Sequence, residues 1–447
     1  MDVAPGGMSV GIALQFAVVL AAIWMGARSS GVGLGLWGAV GLLVLVLGFG
    51  VTPTSPPIDV MLIILAVVMA ASVMDAAGGI DYLVGIAERV IRANPKYVTI
   101  VAPLTTWSFS FVAGTGHIVY PLLPVIYETA HQSGIRPERP MAVATIASQQ
   151  AITASPVAAA TAAMIGLFAE KGLVQWGLPQ ILMICVPATL TGVLAAAVVS
   201  MFVGKELKDD PEYQARLAAG QIPQPPSGGA RALGPGAKRS ALLFLVGVAL
   251  VVVFGFFPAL RQLPGADAPL PMPTVIEIVM LSVAALMLVA TRVPVDEVPK
   301  TSTLRAGVVA VIGIFGLAWL GDSFIAANKH VIVPAISAMT EAAPWTFALG
   351  LFGASVLLYS QAATTRALMP LGLALGIPPH FLIAVFPSVN GYFFIPTYGS
   401  LIAAINFDLS GTTKIGKYVL NHSFMIPGLV ATFVSVLVGL VLAKAIF

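Results

Sequence analysis

Charged residues are scarce in this sequence. Asp, Glu, Lys and Arg make up 9% of the 447 residues, while hydrophobic residues make up 58%. Because soluble domains carry roughly 25% charged residues, this composition excludes an ordinary soluble fold. Apolar runs of about 20 residues, long enough to cross a bilayer, recur along the chain at 8–26, 32–51, 58–77, 181–203, 241–257, 275–290, 307–327 and 419–446. The sequence therefore predicts a polytopic membrane protein.

Cysteine and metal-ligand motifs are also nearly absent. The one cysteine, Cys185, lies in an apolar run, which excludes an intrachain disulfide and a cysteine metal site. The five histidines form no H-E-x-x-H pair, and their spacing indicates no Ser–His or Cys–His nucleophile. These absences argue against an intramembrane hydrolase. We expect a protein that is not an enzyme, with no cofactor, no resident metal and no nucleic-acid partner.

The basic residues orient the spans, because Lys and Arg collect on cytoplasmic loops. No Lys or Arg precedes the first apolar run, so no cleavable signal peptide is expected. When both termini are placed outside, most of the 22 basic residues fall on cytoplasmic loops. The exceptions are Lys171, Arg261, Lys329 and Lys444 outside, and Arg366 within an apolar segment. The sequence thus predicts that both termini lie outside, opposite the cytoplasm.

This orientation requires two segments that enter and leave the membrane on the same side. Segment 97–127 is too short for two crossings, which need about 40 residues, so it predicts a re-entrant helical hairpin. Segment 344–379 is the second candidate. Segments 140–169 and 380–411 are longer than one straight crossing, and each carries a proline near its middle. Since proline interrupts helices, we interpret these two segments as broken spans.

A hydrophilic segment, 204–239, divides the chain into two halves. Its proline and glycine content predicts a flexible cytoplasmic linker. The halves, 1–203 and 240–447, each contain three spans, a hairpin, a broken span and one further span. Because that plan gives each half an odd number of crossings, the halves must be inverted relative to each other. The predicted fold class is all-α, with about ten transmembrane helices and two re-entrant hairpins in two inverted repeats.

Matching sequence blocks support the inverted repeat. They are T-x-[H/R]-x-x-x-P-L from Thr115 and Thr364, G-I-x-P from Gly134 and Gly376, and S-x-[Q/N] from Ser148 and Ser388, followed by Pro156 and Pro396. The blocks fall on the hairpin and the broken span of each half. Interrupted helices expose unpaired N–H and C=O groups, which membrane proteins tolerate only beside protein or a water-filled cavity. We therefore predict a polar binding site where hairpin tips and breaks meet. The structural alternative is a proline kink with Ser and Thr bonded back to their own helix.

Arg366 is the strongest individual candidate, because a guanidinium at membrane depth costs several kcal/mol unless it is paired. It could brace the fold through a carboxylate such as Asp322, Glu277 or Asp408. Alternatively, it could grip an anionic substrate with two hydrogen bonds. His117 occupies the equivalent position in the first hairpin, where it could act as a second donor, a proton-coupling group or a polar anchor.

Asp408 is a candidate gate or coupling residue. It lies twelve residues beyond Pro396, about 18 Å along a helix, so we expect it at the cytoplasmic mouth and not on the substrate. An anion channel could also use re-entrant hairpins, and saturable exchange kinetics would separate a carrier from a channel. A purely structural role would leave the paired helix breaks unexplained.

Four segments resemble the bacterial anaerobic C4-dicarboxylate carriers of the Dcu family. They are APLTTWSFSFVAGTGHIVYPLLPVI, GIRPERPMAVATIASQQAITASPVAAAT, FPSVNGYFFIPTYGSLIAAINFD and SGTTKIGKYVLNHSFMIPG. The resemblance implies a transporter in the bacterial inner membrane that takes up fumarate, malate or aspartate, expels succinate and supports anaerobic respiration. It also implies an elevator mechanism, as in the wider ion-transporter superfamily, with a mobile transport domain beside a dimerising scaffold, and hence a homodimer. The alternative is a Na⁺- or H⁺-coupled symporter of the same fold.

The resemblance also implies the substrate-binding residues. The first half of the site would comprise Thr115, Gly116 and His117 at the hairpin tip, with Ser148, Gln149, Thr153 and Ser155 at the break. The second half would comprise Thr364, Thr365 and Arg366 in the hairpin, with Asn390 and Thr397 at the break. Position 150 is often apolar in the family, so Gln150 is not expected to be a ligand. An uncovered Arg366 would make transit of the empty carrier costly, which would favour obligatory exchange.

Overall fold

The computed structural model describes residues 10–29, 32–222, 233–266, 268–342, 345–358, 360–396, 398–418 and 420–447. Within these ranges the secondary structure is helical, and the only β-type pairing is an isolated bridge between Ile415 and His422. Six of the described helices are long and apolar enough to cross a bilayer. The predicted all-α architecture of a polytopic membrane protein is therefore confirmed.

The described helices follow the order of the chain. The first half contains α1 (Val10–Ser29), α2 (Gly33–Phe49), α3 (Ile58–Ala76), α4 (Gly79–Ala93), α5 (Val98–Ala113), α6 (Val119–Gln132), α7 (Glu138–Gln150), α8 (Ala159–Glu170) and α9 (Leu178–Ser200). The linker contains α10 (Pro211–Ala218). The second half contains α11 (Ala237–Phe256), α12 (Met272–Thr291), α13 (Ser302–Ala342), α14 (Thr346–Leu358), α15 (Gln361–Ala374), α16 (Pro379–Val385), α17 (Gly399–Phe407) and α18 (Met425–Ile446).

Two helices differ from what the apolar runs indicate. Helix α4 is amphipathic and buries Leu83, Val84, Ala87 and Ile91 on one face, so its average hydropathy is too low to mark it as an apolar run. Helix α13 is 41 residues long, about 60 Å at 1.5 Å per residue, and extends well beyond the apolar run, 307–327, in its N-terminal part. An extended helix of this kind continues past the hydrocarbon core, where hydropathy no longer indicates it.

The helices pack as two groups. In one, α9 and α18 pack against each other and against α7, with α5 on α9 and α16 on α18. In the other, α1, α2, α3, α11, α12 and α13 pack in succession. Small residues permit these close approaches: a Cβ at Gly192 of α9 would lie 2.2 Å from Ser435 Oγ of α18, and a Cβ at Gly35 of α2 would lie 2.0 Å from the Ile312 carbonyl oxygen of α13.

Two helix interruptions divide segments rich in small residues. In the first, α7 runs into a 3₁₀ turn at Ala151–Thr153, and the chain is non-helical around the buried Pro156 before α8 begins. In the second, α16 runs into a 3₁₀ helix at Phe386–Phe393, and the chain is non-helical around the buried Pro396 before α17 begins. Both interruptions stand at prolines, which cannot donate the backbone hydrogen bond that a continuous helix needs.

The first part of the linker is folded, so the prediction of a flexible connection is wrong for these residues. A 3₁₀ turn at Leu207–Asp209 leads into α10, which Asp210 caps at its N-terminus. Arg136 forms ion pairs with Asp210 and Glu138. Arg216 in α10 donates to the Ser410 carbonyl oxygen at 2.8 Å. Ion pairs and a helix cap hold this segment in place, and proline and glycine content alone does not predict such contacts. Residues 223–232 lie outside the described residues.

Candidate functional site

The turn between α5 and α6, called here the first tip, lies against the first interruption. Gly114 turns the chain with φ of +69°, and a Cβ there would lie 2.7 Å from the Val157 carbonyl oxygen. At Gly116 a Cβ would lie 2.2 Å from Gln149 Nε2. Thr115 caps the following 3₁₀ turn by accepting from the His117 N–H at 3.2 Å. Glycine is required here for its left-handed backbone and for the close approach.

The start of α15, called here the second tip, lies against both interruptions. Ser360 caps α15 by accepting from the Ala363 N–H at 3.2 Å. The next side chain, Gln361, donates from Nε2 to Gln149 Oε1 at 2.9 Å and to Asn390 Oδ1 at 3.2 Å. One amide therefore bridges the second tip, the first broken segment and the second broken segment.

Further amides extend this contact into a buried network, called here the amide network. Asn390 Nδ2 donates to Gln150 Oε1 at 3.2 Å, and Gln150 Nε2 donates to Thr432 Oγ1 in α18 at 2.9 Å. Gln149, Gln150 and Asn390 are each at most 3% exposed. Primary amides offer both donors and acceptors, so the network can satisfy itself when empty and can present N–H groups to an anion when it opens.

Four predicted ligands use their hydroxyl protons within their own helices. Ser148 donates to Thr145 O at 2.8 Å, Thr153 to Gln150 O at 3.0 Å, Thr364 to Ser360 O at 2.8 Å and Thr365 to Gln361 O at 2.7 Å. A carboxylate needs hydrogen-bond donors, and these hydroxyls have only acceptor lone pairs left. Their geometry is that of the structural alternative, in which Ser and Thr bond back to their own helix.

Ser155 has a different role at the first interruption. Its Oγ accepts from the Val157 N–H at 3.3 Å, and the side chain is fully buried. It therefore holds the non-helical turn that leads into α8. The first N–H groups of a helix lack intrahelical partners and carry partial positive charge, so this turn fixes a site of positive potential. Thr397, the corresponding candidate at the second interruption, lies outside the described residues.

Arg366 is paired with two carboxylates, so the expectation of an uncovered guanidinium is wrong. Its Nη1 lies 3.0 Å from Glu170 Oε2 of α8, and its Nη2 lies 3.2 Å from Asp322 Oδ2 of α13. The side chain is 1% exposed. Of the braces that the sequence suggests, Asp322 is present; Glu170 is separated from Arg366 by 196 residues, and no local pattern links them.

Asp408 is also part of the structural framework. It is buried beyond the end of α17 and accepts from the Ser410 and Thr413 N–H groups and from the Thr412 hydroxyl. Thr412 in turn accepts from the Glu138 N–H at 3.1 Å. A carboxylate with these partners caps a turn. The described contacts therefore do not support a gate at this residue.

Comparison with known proteins identifies the family. The family model described as anaerobic C4-dicarboxylate membrane transporter matches residues 11–447. This chain belongs to the anaerobic C4-dicarboxylate membrane transporter family. It is 41% identical to the C4-dicarboxylate transporter DcuA of Wolinella succinogenes over 97% of this chain and 99% of that protein. It is 42% identical to DcuA of Escherichia coli strain K12, with the same coverage of both chains.

A third relative, the anaerobic C4-dicarboxylate transporter DcuB of Escherichia coli O157:H7, is 38% identical over 96% of this chain and 98% of that protein. All three relatives are named as transporters, and this C4-dicarboxylate transporter family is not a family of enzymes.

Two solved structures share the fold of this family member. The YdaH transporter of Alcanivorax borkumensis has a TM-score of 0.58 and 14% identity, with 98% of both chains covered. MtrF of Neisseria gonorrhoeae, described as one of a class of antimetabolite efflux pumps, has a TM-score of 0.55 and 12% identity, with 98% of this chain and 95% of that chain covered. At these identities the likeness concerns the fold alone.

Sequence reasoning about this Dcu-family chain misses three members of the amide network: Gln150, Gln361 and Thr432. Gln361 stands beside Ser360 in an otherwise apolar hairpin, so a polar side chain next to a helix cap at membrane depth could have indicated it. Gln150 was set aside because the family often has an apolar residue there. Thr432 lies in an apolar helix without a local motif, and only the packing of α18 against α7 reveals its role.

Proposed function

We propose that this chain transports C4-dicarboxylates, taking up fumarate, malate or aspartate in exchange for succinate across the bacterial inner membrane. The observation that carries the proposal is the buried amide network, in which Gln361 joins the second tip to both interruptions. Membership of the anaerobic C4-dicarboxylate membrane transporter family supports this substrate class. The names of the DcuA and DcuB relatives agree with it.

Neutral donors would bind the substrate in this proposal. The amide N–H groups of Gln361 and Asn390 would turn from their present acceptors toward the carboxylates, and the N–H groups of Gln149 would join them. The N-terminus of α8 would add backbone N–H groups and partial positive charge. Each hydrogen bond between two amides that is broken in the network is replaced by a charge-assisted hydrogen bond to a carboxylate, which is roughly twice as strong as a neutral one. Substrate binding can therefore compensate for opening the second tip.

An elevator movement is consistent with the two packing groups. We assign the hairpins, the interrupted segments, α9 and α18 to the moving unit, because α9 and α18 pack against each other and around the interruptions. We assign α1, α2, α3, α11, α12 and α13 to the scaffold, which would form the homodimer contact. Both termini would then be periplasmic, as the distribution of basic residues predicts.

Exchange, as distinct from transport in general, rests on the family resemblance. Arg366 does not explain exchange, because Glu170 and Asp322 already neutralise this side chain. An empty carrier would therefore not carry an unpaired guanidinium through the membrane. Coupling must instead be measured directly, and the Na⁺- or H⁺-coupled symporter and the anion channel are the other outcomes.

The test is uptake of labelled fumarate into proteoliposomes that contain purified protein. We expect rapid uptake when the vesicles are preloaded with succinate and little uptake into empty vesicles. Uptake that needs an imposed Na⁺ or H⁺ gradient would indicate a symporter. Rapid, non-saturating uptake into empty vesicles would indicate a channel, and no uptake of any C4-dicarboxylate would refute the proposed function.

A further inference from the structure

Two hydroxyl groups at the second interruption are buried without a hydrogen-bond partner in the described structure. Tyr392 is 3% exposed, Ser400 is fully buried, and neither hydroxyl oxygen has a partner within the described ranges. Buried polar groups are normally hydrogen-bonded, because an unsatisfied one loses its hydration without compensation. Such hydroxyls also occur elsewhere among the described residues, so the indication of a ligand comes from two of them standing within nine residues of sequence beside the N-terminus of a helix.

Both hydroxyls belong to the residues that lead into α17 or begin it. Ser400 is the second residue of α17, and the Tyr392 ring lies 4.8 Å from the ring of Tyr398, which stands at the N-cap of this helix. The first turn of a helix presents N–H groups without intrahelical partners and a partial positive charge. Together with two hydroxyl donors, this environment favours an anion and disfavours a cation.

The first hairpin covers this place. A Cβ at Gly399 would lie 2.7 Å from the Tyr120 hydroxyl, so this hydroxyl lies directly against the first residue of α17. The Tyr120 ring stacks on His117 with 5.8 Å between centroids, and His117 is exposed. The start of α17 is therefore closed by a hairpin whose tip also contacts Gln149. Movement of that hairpin would uncover the start of α17 and open the amide network together.

We propose that the first turn of α17 and the hydroxyls of Tyr392 and Ser400 bind one carboxylate of the dicarboxylate, while the amide network binds the other. Asn390 of the network stands at a kink in the 3₁₀ segment that also contains Tyr392, and two residues span at most about 7 Å of chain. One small molecule can therefore reach both. This subsite, formed by the first turn of α17 with Tyr392 and Ser400, binds the second carboxylate. It therefore distinguishes dicarboxylates from monocarboxylates. This inference rests on the proposed function and names the residues that select its substrate class.

The experiment compares fumarate with monomethyl fumarate, which lacks one carboxylate, by binding titration with purified full-length protein. The variants are Tyr392→Phe, Ser400→Ala and the double variant. We expect the Kd for fumarate to rise about tenfold in each single variant, while the weaker binding of monomethyl fumarate changes less than twofold. The thermal unfolding midpoint of Tyr392→Phe should not fall, because the removed hydroxyl has no partner in the described structure.

Tyr127→Phe is the matched control. Tyr127 also has a buried hydroxyl without a partner among the described atoms, but it lies in α6 seven residues, about 10 Å along the helix, beyond Tyr120, which faces the start of α17. Its variant should bind fumarate like the wild type. Unchanged fumarate binding in Tyr392→Phe and Ser400→Ala would overturn the subsite while leaving the proposed function intact. Equal weakening of both ligands would also overturn it, whereas a wild type that binds no dicarboxylate would refute the proposed function itself.

Discussion

At the residue scale, Arg366 is held as a strut between three helices. A charged group that is almost fully buried is tolerated only when it is paired, and Arg366 in α15 reaches Glu170 in α8 and Asp322 in α13. Both carboxylates remain partly exposed, whereas the guanidinium is almost fully buried. The ion pairs tie the second hairpin to α8 and, in this state, to α13, so an elevator movement of the kind proposed above would break the pair with Asp322 and keep the pair with Glu170. Both Nη groups contact carboxylates and Nε has no partner among the described atoms, and we propose from the two ion pairs that Arg366 acts mainly in stability.

The strut can be tested by removing both partners of one pair. Arg366→Met alone should lower stability by about 3 kcal/mol, because it leaves Asp322 without a counter-charge in a poorly solvated place. Arg366→Met combined with Asp322→Asn should recover much of that loss and keep the KM for fumarate within about twofold of wild type, since no substrate ligand is removed. Thermal unfolding and uptake kinetics measure the two effects. A KM that stays strongly raised in a stable double variant would make Arg366 a ligand.

The hydroxyl groups of the predicted ligands show that a sequence motif can predict the position of a site but not the hydrogen bonds of its side chains. The repeat blocks bring attention to Ser148, Thr364 and their neighbours, and the interruptions do stand beside them. Whether a hydroxyl donates to a ligand or to its own helix depends on χ1 and on local packing. Sequence spacing fixes neither, so the blocks indicate the region of the proposed site, whereas the donors that we propose are Gln361, Asn390 and the helix N-termini.

At the element scale, the first tip depends on one glycine that has two requirements. Gly114 adopts a left-handed backbone and lies too close to the Val157 carbonyl oxygen for a Cβ. Gly172 shares the first requirement, with φ of +71°, but has no atom within 4 Å of its Cβ position. The pair therefore separates backbone strain from contact between the tip and the interruption.

We expect Gly172→Ala to lose about 1 kcal/mol of stability from its backbone conformation and to transport normally. Gly114→Ala should suffer the same strain and also push the tip away from Val157, so fumarate uptake should fall at least tenfold at matched protein levels. Labelled uptake in proteoliposomes measures the difference. Equal uptake by the two variants would show that the contact between tip and interruption is dispensable.

The folded part of the linker is a second element with a testable cause. The side chains of Arg136, Asp210 and Glu138 form its main ion pairs, and Tyr213 of α10 bonds to His131 Nε2 at 2.9 Å. Burial would raise the pKa of Asp210, but the hydrogen bonds from Arg136 outweigh this and lower it. The Asp210 contribution is therefore present above its unfolded pKa of about 3.9 and is lost only as the pH falls through the lower folded value.

His131 makes the packing of α10 against the end of α6, called here docking, depend on pH near neutrality. Burial lowers the pKa of His131 from 6.5 despite the opposing effect of Asp408, so protonation favours the undocked state. Docking should be constant between about pH 7 and 8 and should weaken as the pH falls below about 6.5. Hydrogen exchange of α10 amides, corrected for intrinsic rates, should accelerate at about pH 5.5. His131→Asn should abolish that acceleration.

Arg136→Ala should accelerate the same exchange at every pH, by an amount that corresponds to about 2 kcal/mol for a lost charged hydrogen bond. Lys208→Ala is the control, because this exposed residue lies in the same linker and should leave exchange unchanged. Protection that persists in Arg136→Ala would mean that packing holds α10 in place, with little contribution from the ion pairs.

At the scale of the whole molecule, hydropathy predicts the class of fold and local chemistry predicts where helices stop. Apolar runs indicate the long helices, and Pro156 and Pro396 stand within the two interruptions. Hydropathy and local chemistry do not predict which residues pair across long distances in the chain. Glu170 with Arg366, and Thr432 with Gln150, join residues that lie far apart in the chain and share no periodicity. The amphipathic α4 and the folded linker depend in the same way on partners that only the tertiary structure brings together.

In the proposed function, the amide network around Gln361 binds the dicarboxylate. The most direct test is a fumarate titration with purified wild type, Gln361→Leu and the control Gln132→Leu, whose exposed amide bonds only to Glu128 among the described residues. We predict that Gln361→Leu raises the Kd at least tenfold, or about 1.4 kcal/mol, while Gln132→Leu binds like the wild type. A folded Gln361→Leu protein with an unchanged Kd would show that the amide network does not bind the dicarboxylate.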